Sequence, residues 1–316
     1  MTSPKTDTPL QILISAPDDA VAQFQPAIAK ALDAAGVQAH VAPDLPPEEV
    51  DYIVFSPNGL ISDFTPFTRA RAALSLWAGV DKVLHNPTLT LPLARMVDPG
   101  QREGMIEYVT AHVLRHHIGM DRYITASQGW QQVAPPLARD RKVTVLGLGE
   151  LGGACANALA ALKFDTHGWS RRPRTLPGIT AHSGDAGLCD ALSGADIVVC
   201  LLPTTPQTEN VLNAATLALL APGAVVINPG RGSLIDDSAL IAALDSGALG
   251  HATLDTFRIE PLPEDHPFRA HPKVTVSPHV ASLVRVETSA AVIADNIRRG
   301  EAGAPFVHLV NRQAGY

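Results

Sequence analysis

The apolar positions of this chain fall in short runs whose period keeps changing. "LQILIS" (Leu10 to Ser15) is a continuous apolar run of strand length, and "AVAQFQPAIAKALDAAG" after it has helical apolar spacing and stops at Gly36. "VQAHVA", "DYIVFS" and "AALSLW" predict further strands, with helical or turn segments between them. A longer helix is predicted from Gln101 to Met120, "QREGMIEYVTAHVLRHHIGM". The polar, proline-containing "SQGWQQVAPPLARDR" behind it reads as a hinge between two domains. "KVTVLGLGELGGACANALAALKF" then reads as strand, tight turn and helix. "ADIVVCLLP", "GAVVINPG", "HATLDTF" and "KVTVSPH" predict four more strands, with a helix at "DDSALIAALDSGALG". The last stretch, "ETSAAVIADNIRRG", is helical and is expected to return to the first domain. Alternating strand and helix predict an α/β architecture with parallel sheets.

Length sharpens this picture. A chain of 316 residues favours two domains over one. Hydrophobic residues make up 46% and charged residues 17%, values of an ordinary globular protein. The net charge of −7 argues against general affinity for nucleic acid or anionic membranes, so any anion site must be local. Cys155, Cys189 and Cys200 show no CxxC spacing and sit among apolar residues, which predicts core thiols of a reduced, cytoplasmic protein. The opening "MTSPKTDTPL" has no apolar signal region, and the apolar runs are too short and broken to span a membrane.

Gly147, Gly149 and Gly152 stand in GxGxxG spacing between a β-branched strand and an Ala-rich helix. Gly147 permits the tight turn, Gly149 lets a pyrophosphate approach the backbone, and Gly152 lets helix and strand pack closely. The N–H groups near Glu150 and Leu151 can then donate to phosphate oxygens. A carboxylate that binds the ribose hydroxyls of NAD is expected about 20 residues further on. The next strand ends instead at Ser170, 18 residues on (152 to 170), and Arg171 and Arg172 follow it. Guanidinium forks suit a 2′-phosphate, so NADPH is preferred over NADH, with NADH still possible. Asp165 lies at the wrong end of that strand to substitute.

Three later motifs, "NPGRGSLID", "LDTFRIEPLP" and "VSPHVAS", each place a reactive side chain just after an apolar strand. These are Arg231, Glu260 and His279, at spacings of 29 (231 to 260) and 19 (260 to 279). Ligands of open α/β sheets bind at the carboxyl ends of strands. Together with the glycine turn and "LLPTTPQT", the motifs resemble the D-isomer-specific 2-hydroxyacid dehydrogenase family, closest to its bacterial glyoxylate/hydroxypyruvate reductase A type. "LWAGVD" fits that family's substrate loop.

The resemblance implies two Rossmann-like or flavodoxin-like domains with the active site in the cleft between them. Residues 1–101 with 284–316 would form the substrate-binding domain and 102–283 the dinucleotide-binding domain. The implied reaction is NADPH-dependent reduction of a small 2-oxoacid, glyoxylate or hydroxypyruvate, to the D-2-hydroxyacid, by a homodimer without a metal. His279 would protonate the carbonyl oxygen, and Glu260 would favour its imidazolium form. Arg231 would bind the substrate carboxylate and polarise the carbonyl. The N–H groups of Ala78 and Gly79 would hold the same carboxylate, with Trp77 filling part of the pocket. Asp255 would touch the nicotinamide carboxamide, and Leu202 and Pro203 would line the adenine pocket.

Other residues read as structural. His112 and His116 stand four apart on a helix with no third ligand in view, and read as helix-surface or interface residues. "PEDHPF" (Pro263 to Phe268) reads as a solvated turn, and Trp130 as a packing anchor at a domain or subunit contact. Asn58 and Gly59 make the loop "FSPNGLISDF" differ from the resembled subgroup, which leaves the oxoacid open. Two alternatives also stay open: a nucleotide sensor with little turnover, akin to corepressor relatives, and a dehydrogenase of a bulkier oxoacid. A β-hydroxyacid dehydrogenase fits less well, because those carry the glycine turn at the N-terminus.

Overall fold

Buried, β-branched strands need helices on both faces, and the chain folds accordingly into two α/β units. A computed structural model describes residues 8–58, 60–124, 130 and 132–312; Gly59 and part of the polar run after Met120 lie outside them. Among the described residues the strands form two sheets, one of five and one of seven, parallel throughout. No helix there is long and apolar enough to cross a membrane.

The first unit comprises residues 1–101 and 284–316. Its strands β1 (Leu10–Ser15), β2 (Ala39–Ala42), β3 (Tyr52–Phe55), β4 (Ala73–Ser75) and β5 (Leu93–Ala94) stand in the order β2-β1-β3-β4-β5. Helix α1 (Asp18–Ala34) buries Phe24, Ile28 and Leu32, spaced four apart, against this sheet. Helix α9 (Val286–Glu301) buries Ala290, Ile293, Ala294 and Ile297 in the same core. Its first turn is tied down by Asp98, whose carboxylate accepts hydrogen bonds from the hydroxyls of Thr288 at 2.6 Å and Ser289 at 2.9 Å.

The second unit comprises residues 102–283. Helix α2 (Pro99–His117) opens on a proline, which suits a first helical position, and the unit boundary falls inside it. The polar run predicted to be a hinge therefore belongs to the second unit. After α3 (Asp121–Ile124) come β6 (Lys142–Leu146), α4 (Glu150–Ala161), β7 (Asp165–Ser170), β8 (Thr180–Ser183), α5 (Gly184–Leu192) and β9 (Ile197–Cys200). Then follow α6 (Ala214–Leu217), β10 (Ala224–Asn228), α7 (Asp237–Asp245), β11 (Leu249–Leu254), α8 (Pro267–Ala270) and β12 (Val274–Val276). The sheet order is β12-β11-β10-β9-β6-β7-β8, so the direction of winding reverses between β6 and β9. Such a switch point is where doubly wound sheets take their ligands.

Several expectations need correction. Cys155 and Cys200 are buried, but Cys189 on the short helix α5 is exposed. His112 and His116, expected at the helix surface or an interface, are half-buried and packed within this unit. His116 Nε2 lies 2.9 Å from Thr253 Oγ1, its ring stands 5.0 Å from that of His251, and His112 packs 4.5 Å from Tyr108. Burial, reinforced by His251 and Arg115, pushes the His116 imidazole down to about 3, so it is a neutral packing group. Strand β8 and helix α5 escaped the sequence reading because "ITAHSGDAGLCDAL" (Ile179 to Leu192) has no apolar run long enough to register.

Candidate functional site

The glycine turn lies at the switch point. Gly147, at φ +102°, follows β6, and a Cβ there would meet the carbonyl oxygen of Leu201, just after β9, at 2.5 Å. A Cβ on Gly152 would stand 1.7 Å from the carbonyl oxygen of Gly147. That glycine is therefore required by the turn itself, a tighter reason than the helix–strand packing inferred from the motif. Gly149 differs: a Cβ there would meet nothing within 4 Å. It is the N-cap of α4, and no side chain caps that helix end. Glu150 is exposed and Leu151 half-buried, so the start of α4 is open to an anion, as a pyrophosphate cradle requires.

Strand β7 ends at Ser170, whose hydroxyl donates to the carbonyl of Arg172 at 2.8 Å and shapes the turn. Arg171 and Arg172 are exposed. Asp165 lies at the opposite end of β7. The position where NAD-specific sites carry a carboxylate thus holds a hydroxyl and two guanidinium groups, a donor set that fits a phosphate. Leu202 is buried in the core beside β9, while Pro203 is half-buried.

Arg231, Glu260 and His279 follow β10, β11 and β12, three neighbouring strands, at their carboxyl ends. The Arg231 turn is held by Asn228, which is buried: its Nδ2 donates to the Arg231 carbonyl at 2.9 Å, and its Oδ1 accepts the N–H of Gly230 at 3.2 Å. A Cβ on Gly232 would stand 2.0 Å from the Phe257 carbonyl carbon, so the Arg231 turn is packed against the segment that leads to Glu260. Arg231 itself is half-buried, and its Nη1 donates to the Gly230 carbonyl at 2.8 Å.

Glu260 divides its oxygens. Oε1 accepts the N–H of Phe257 at 2.9 Å, and Oε2 stands 2.8 Å from Nδ1 of His279. With Nδ1–H donating to the carboxylate, the His279 ring is oriented and Nε2 is left to face a reactant. The His279 side chain is 52% exposed and that of Glu260 36%, so the pair is open to solvent. His279 also has φ +55°, uncommon for a residue with a Cβ.

Asp255 does something the motif did not foretell. It is fully buried, and its carboxylate accepts from the Ser277 hydroxyl and from the N–H groups of Val280 and Ala281. What the structure shows it doing is holding the His279 turn; the expected carboxamide contact is a separate matter. Asn228, Ser277 and Tyr108 were missed altogether, although Asn228 and Ser277 sit inside the quoted motifs.

Trp77, Ala78 and Gly79 lie in the first unit, just after β4. The Ser75 hydroxyl accepts the Trp77 N–H at 3.0 Å and donates to the Trp77 carbonyl at 2.9 Å, and the Trp77 residue is 37% exposed. In "PEDHPF", Glu264 and Asp265 are exposed as expected, but His266 caps α8 by accepting the N–H of Phe268. Trp130 is 94% exposed. Among the described residues, no group of three or more His, Cys, Asp or Glu side chains is placed to hold a metal.

Comparison with known proteins gives this geometry its relatives. Residues 108–281 match the family model "D-isomer specific 2-hydroxyacid dehydrogenase, NAD binding domain". The chain is 37% identical over 257 residues to glyoxylate/hydroxypyruvate reductase A of Serratia proteamaculans, covering 78% of this chain and 82% of the relative. Two solved structures superpose over nearly the whole length. One is a D-isomer specific 2-hydroxyacid dehydrogenase from Xanthobacter autotrophicus in complex with NADPH and MES (TM-score 0.90, 37% identity, 98% of this chain and 100% of the other). The other is an NADPH-dependent glyoxylate/hydroxypyruvate reductase from Sinorhizobium meliloti in complex with NADP and sulfate (TM-score 0.83, 33% identity, 97% and 100%).

Proposed function

Because this chain belongs to the D-isomer specific 2-hydroxyacid dehydrogenase family, we propose that it reduces a small 2-oxoacid of the glyoxylate and hydroxypyruvate class to the D-2-hydroxyacid, with NADPH as reductant. The observation that carries the reading is the 2.8 Å pair of Glu260 and His279, at the carboxyl end of the sheet that also bears the glycine turn. The nicotinamide, when bound, supplies the hydride that the substrate's carbonyl carbon accepts. Every other task falls to the chain.

His279 gives the carbonyl oxygen its proton from Nε2, and its exposure to solvent allows the imidazole to be reprotonated. Glu260 accepts from Nδ1 and so holds the ring with Nε2 toward the substrate. Arg231 pairs with the substrate carboxylate and draws charge from the carbonyl. The uncapped start of α4 takes the pyrophosphate, and Arg171 and Arg172 take the 2′-phosphate. Asp255, fully buried, serves the site by holding the Ser277–Ala281 turn that carries His279. Pro203, half-buried beside Leu202, offers the adenine an apolar wall. The first unit selects the oxoacid, with the N–H groups of Ala78 and Gly79 as its carboxylate donors and Trp77 as apolar wall.

The working form is a cytoplasmic homodimer. Its dimer contact is formed by Met120, Tyr123, Ile124, Trp130, Val133 and Leu137, large apolar residues exposed along one stretch of chain. The three free thiols suit a reducing compartment.

The test is a panel of glyoxylate, hydroxypyruvate and phenylpyruvate, each run with NADPH and with NADH. NADPH oxidation is expected with the two small acids, at about 1–1000 turnovers per second. A protein that binds NADPH but turns over none of the three is a sensor, and the proposal fails. Sedimentation of the wild type and of Trp130→Ser tests the dimer: a monomeric wild type rejects it.

A further inference from the structure

The four donors that fix the His279 turn all end on one residue. Asp255 accepts the Ser277 hydroxyl at 2.6 Å and the Val280 N–H at 2.9 Å on Oδ1, and the Ala281 N–H at 2.9 Å on Oδ2. Its backbone carbonyl accepts the N–H of His279 itself at 2.9 Å. These bonds hold a left-handed residue in place. A non-glycine residue at φ +55° is strained and persists only where its surroundings over-determine it.

The Ser277 hydroxyl has one proton, and the carboxylate can only accept. The hydroxyl therefore donates to Asp255 and is left to accept from Tyr108, whose Oη lies 2.7 Å away. Tyr108 is on α2, so the chain of bonds ties that helix to the turn. Burial pushes the Tyr108 phenol up to about 12, so it remains a donor throughout the working range of pH. No part of the proton transfer described above uses either hydroxyl.

We propose that Ser277, accepting from Tyr108 and donating to Asp255, is a positioning residue that sets the orientation of His279 toward the substrate. The inference rests on the reading of His279 as proton donor. The physical ground is orientation: a hydroxyl next but one to a catalytic side chain, bound on both sides, removes the freedom of the turn to rotate. Misplacement by about 1 Å can cost up to about 10²-fold in rate.

The test compares Ser277→Ala, Ser277→Thr and Tyr108→Phe with the wild type, and runs His279→Ala in parallel. Each is read by kcat and KM for glyoxylate, by NADPH affinity from fluorescence titration, and by the primary isotope effect with NADPH deuterated at the transferred position. For Ser277→Ala, kcat is expected to fall about tenfold, with the NADPH Kd within about twofold and a larger isotope effect, because chemistry becomes slower than release. Ser277→Thr, which keeps the hydroxyl, is expected to recover kcat to within about threefold, and Tyr108→Phe to fall between. If Ser277→Ala does not fold, Tyr108→Phe carries the same test by removing a single oxygen from a half-buried site. Unchanged kcat in Ser277→Ala, or a loss shared equally with NADPH affinity and not rescued by Thr, overturns the proposal. If His279→Ala keeps near-normal turnover, it is the proton-donor reading that fails. If His279→Ala is inactive while Ser277→Ala is normal, only the positioning role is lost.

Discussion

Oε2 of Glu260 lies 2.8 Å from Nδ1 of His279, while its Oε1 accepts the N–H of Phe257. One carboxylate therefore anchors its own loop and fixes the tautomer of the imidazole on the next strand. In Glu260→Gln a single oxygen cannot do both. If it keeps the Phe257 N–H, its NH2 faces Nδ1 and forces the proton to Nε2 of a neutral ring, a far weaker acid. We expect kcat to fall by roughly 10²–10³-fold with the NADPH Kd unchanged, as checked by steady-state kinetics and cofactor titration. A loss below about threefold would remove Glu260 from the mechanism.

The second and third glycines of the turn should fail in different ways. Gly152→Ala drives a Cβ into the Gly147 carbonyl oxygen, which is backbone and cannot step aside. A loss of about 3 kcal/mol and a fall of roughly 5–10 °C in Tm are expected. Gly149→Ala meets no protein atom, so Tm should stay within about 2 °C, while NADPH binding weakens about tenfold. Calorimetry with and without NADPH separates the two outcomes. Unaltered NADPH affinity in Gly149→Ala would show that the open space there is not the pyrophosphate site.

Arg171→Ala with Arg172→Ala should raise KM for NADPH by roughly 10–100-fold and leave KM for NADH within about threefold. Both side chains are exposed, and Tm serves as the control. Equal loss with both cofactors would reject the phosphate clamp.

His116 makes stability depend on pH. Burial holds its folded-state value near 3, below the ordinary imidazole value of ~6.5 that it regains on unfolding. Between those limits the unfolded chain binds the extra proton, so stability is full above about pH 6.5 and declines as the pH falls toward 3. His112 and His251, also lowered by burial, act in the same direction. Urea unfolding at pH 7 and pH 5 should show up to about 2 kcal/mol lost through His116 alone, and His116→Gln should flatten the difference. An identical pH slope in the variant would sink this account.

Much of the site could be read from the one-dimensional pattern. Arg231, Glu260 and His279 each follow an apolar run, and in a parallel sheet every such run ends on the same edge, so residues 29 and 19 apart in sequence come to neighbouring strand ends. The parts that escaped are those set by contacts between distant residues. Nothing near Ser277 in the chain announces Tyr108, 169 positions away. His112 and His116 have a polar side chain's usual preference for water, and only the docking of α2 on β11 puts them against Thr253 and His251.

The sequence by itself determined the alternation of strand and helix, the glycine turn, the basic end of β7 and the three reactive side chains, because each depends on local propensity and on spacing along the backbone. Tertiary structure alone decided how Glu260 divides its two oxygens between Phe257 and His279, what holds that histidine in a left-handed conformation, and why Gly152 can bear no side chain. Those outcomes depend on distances of about 3 Å or less between groups that the chain separates, and such distances exist only once the strands have taken their order in the sheet.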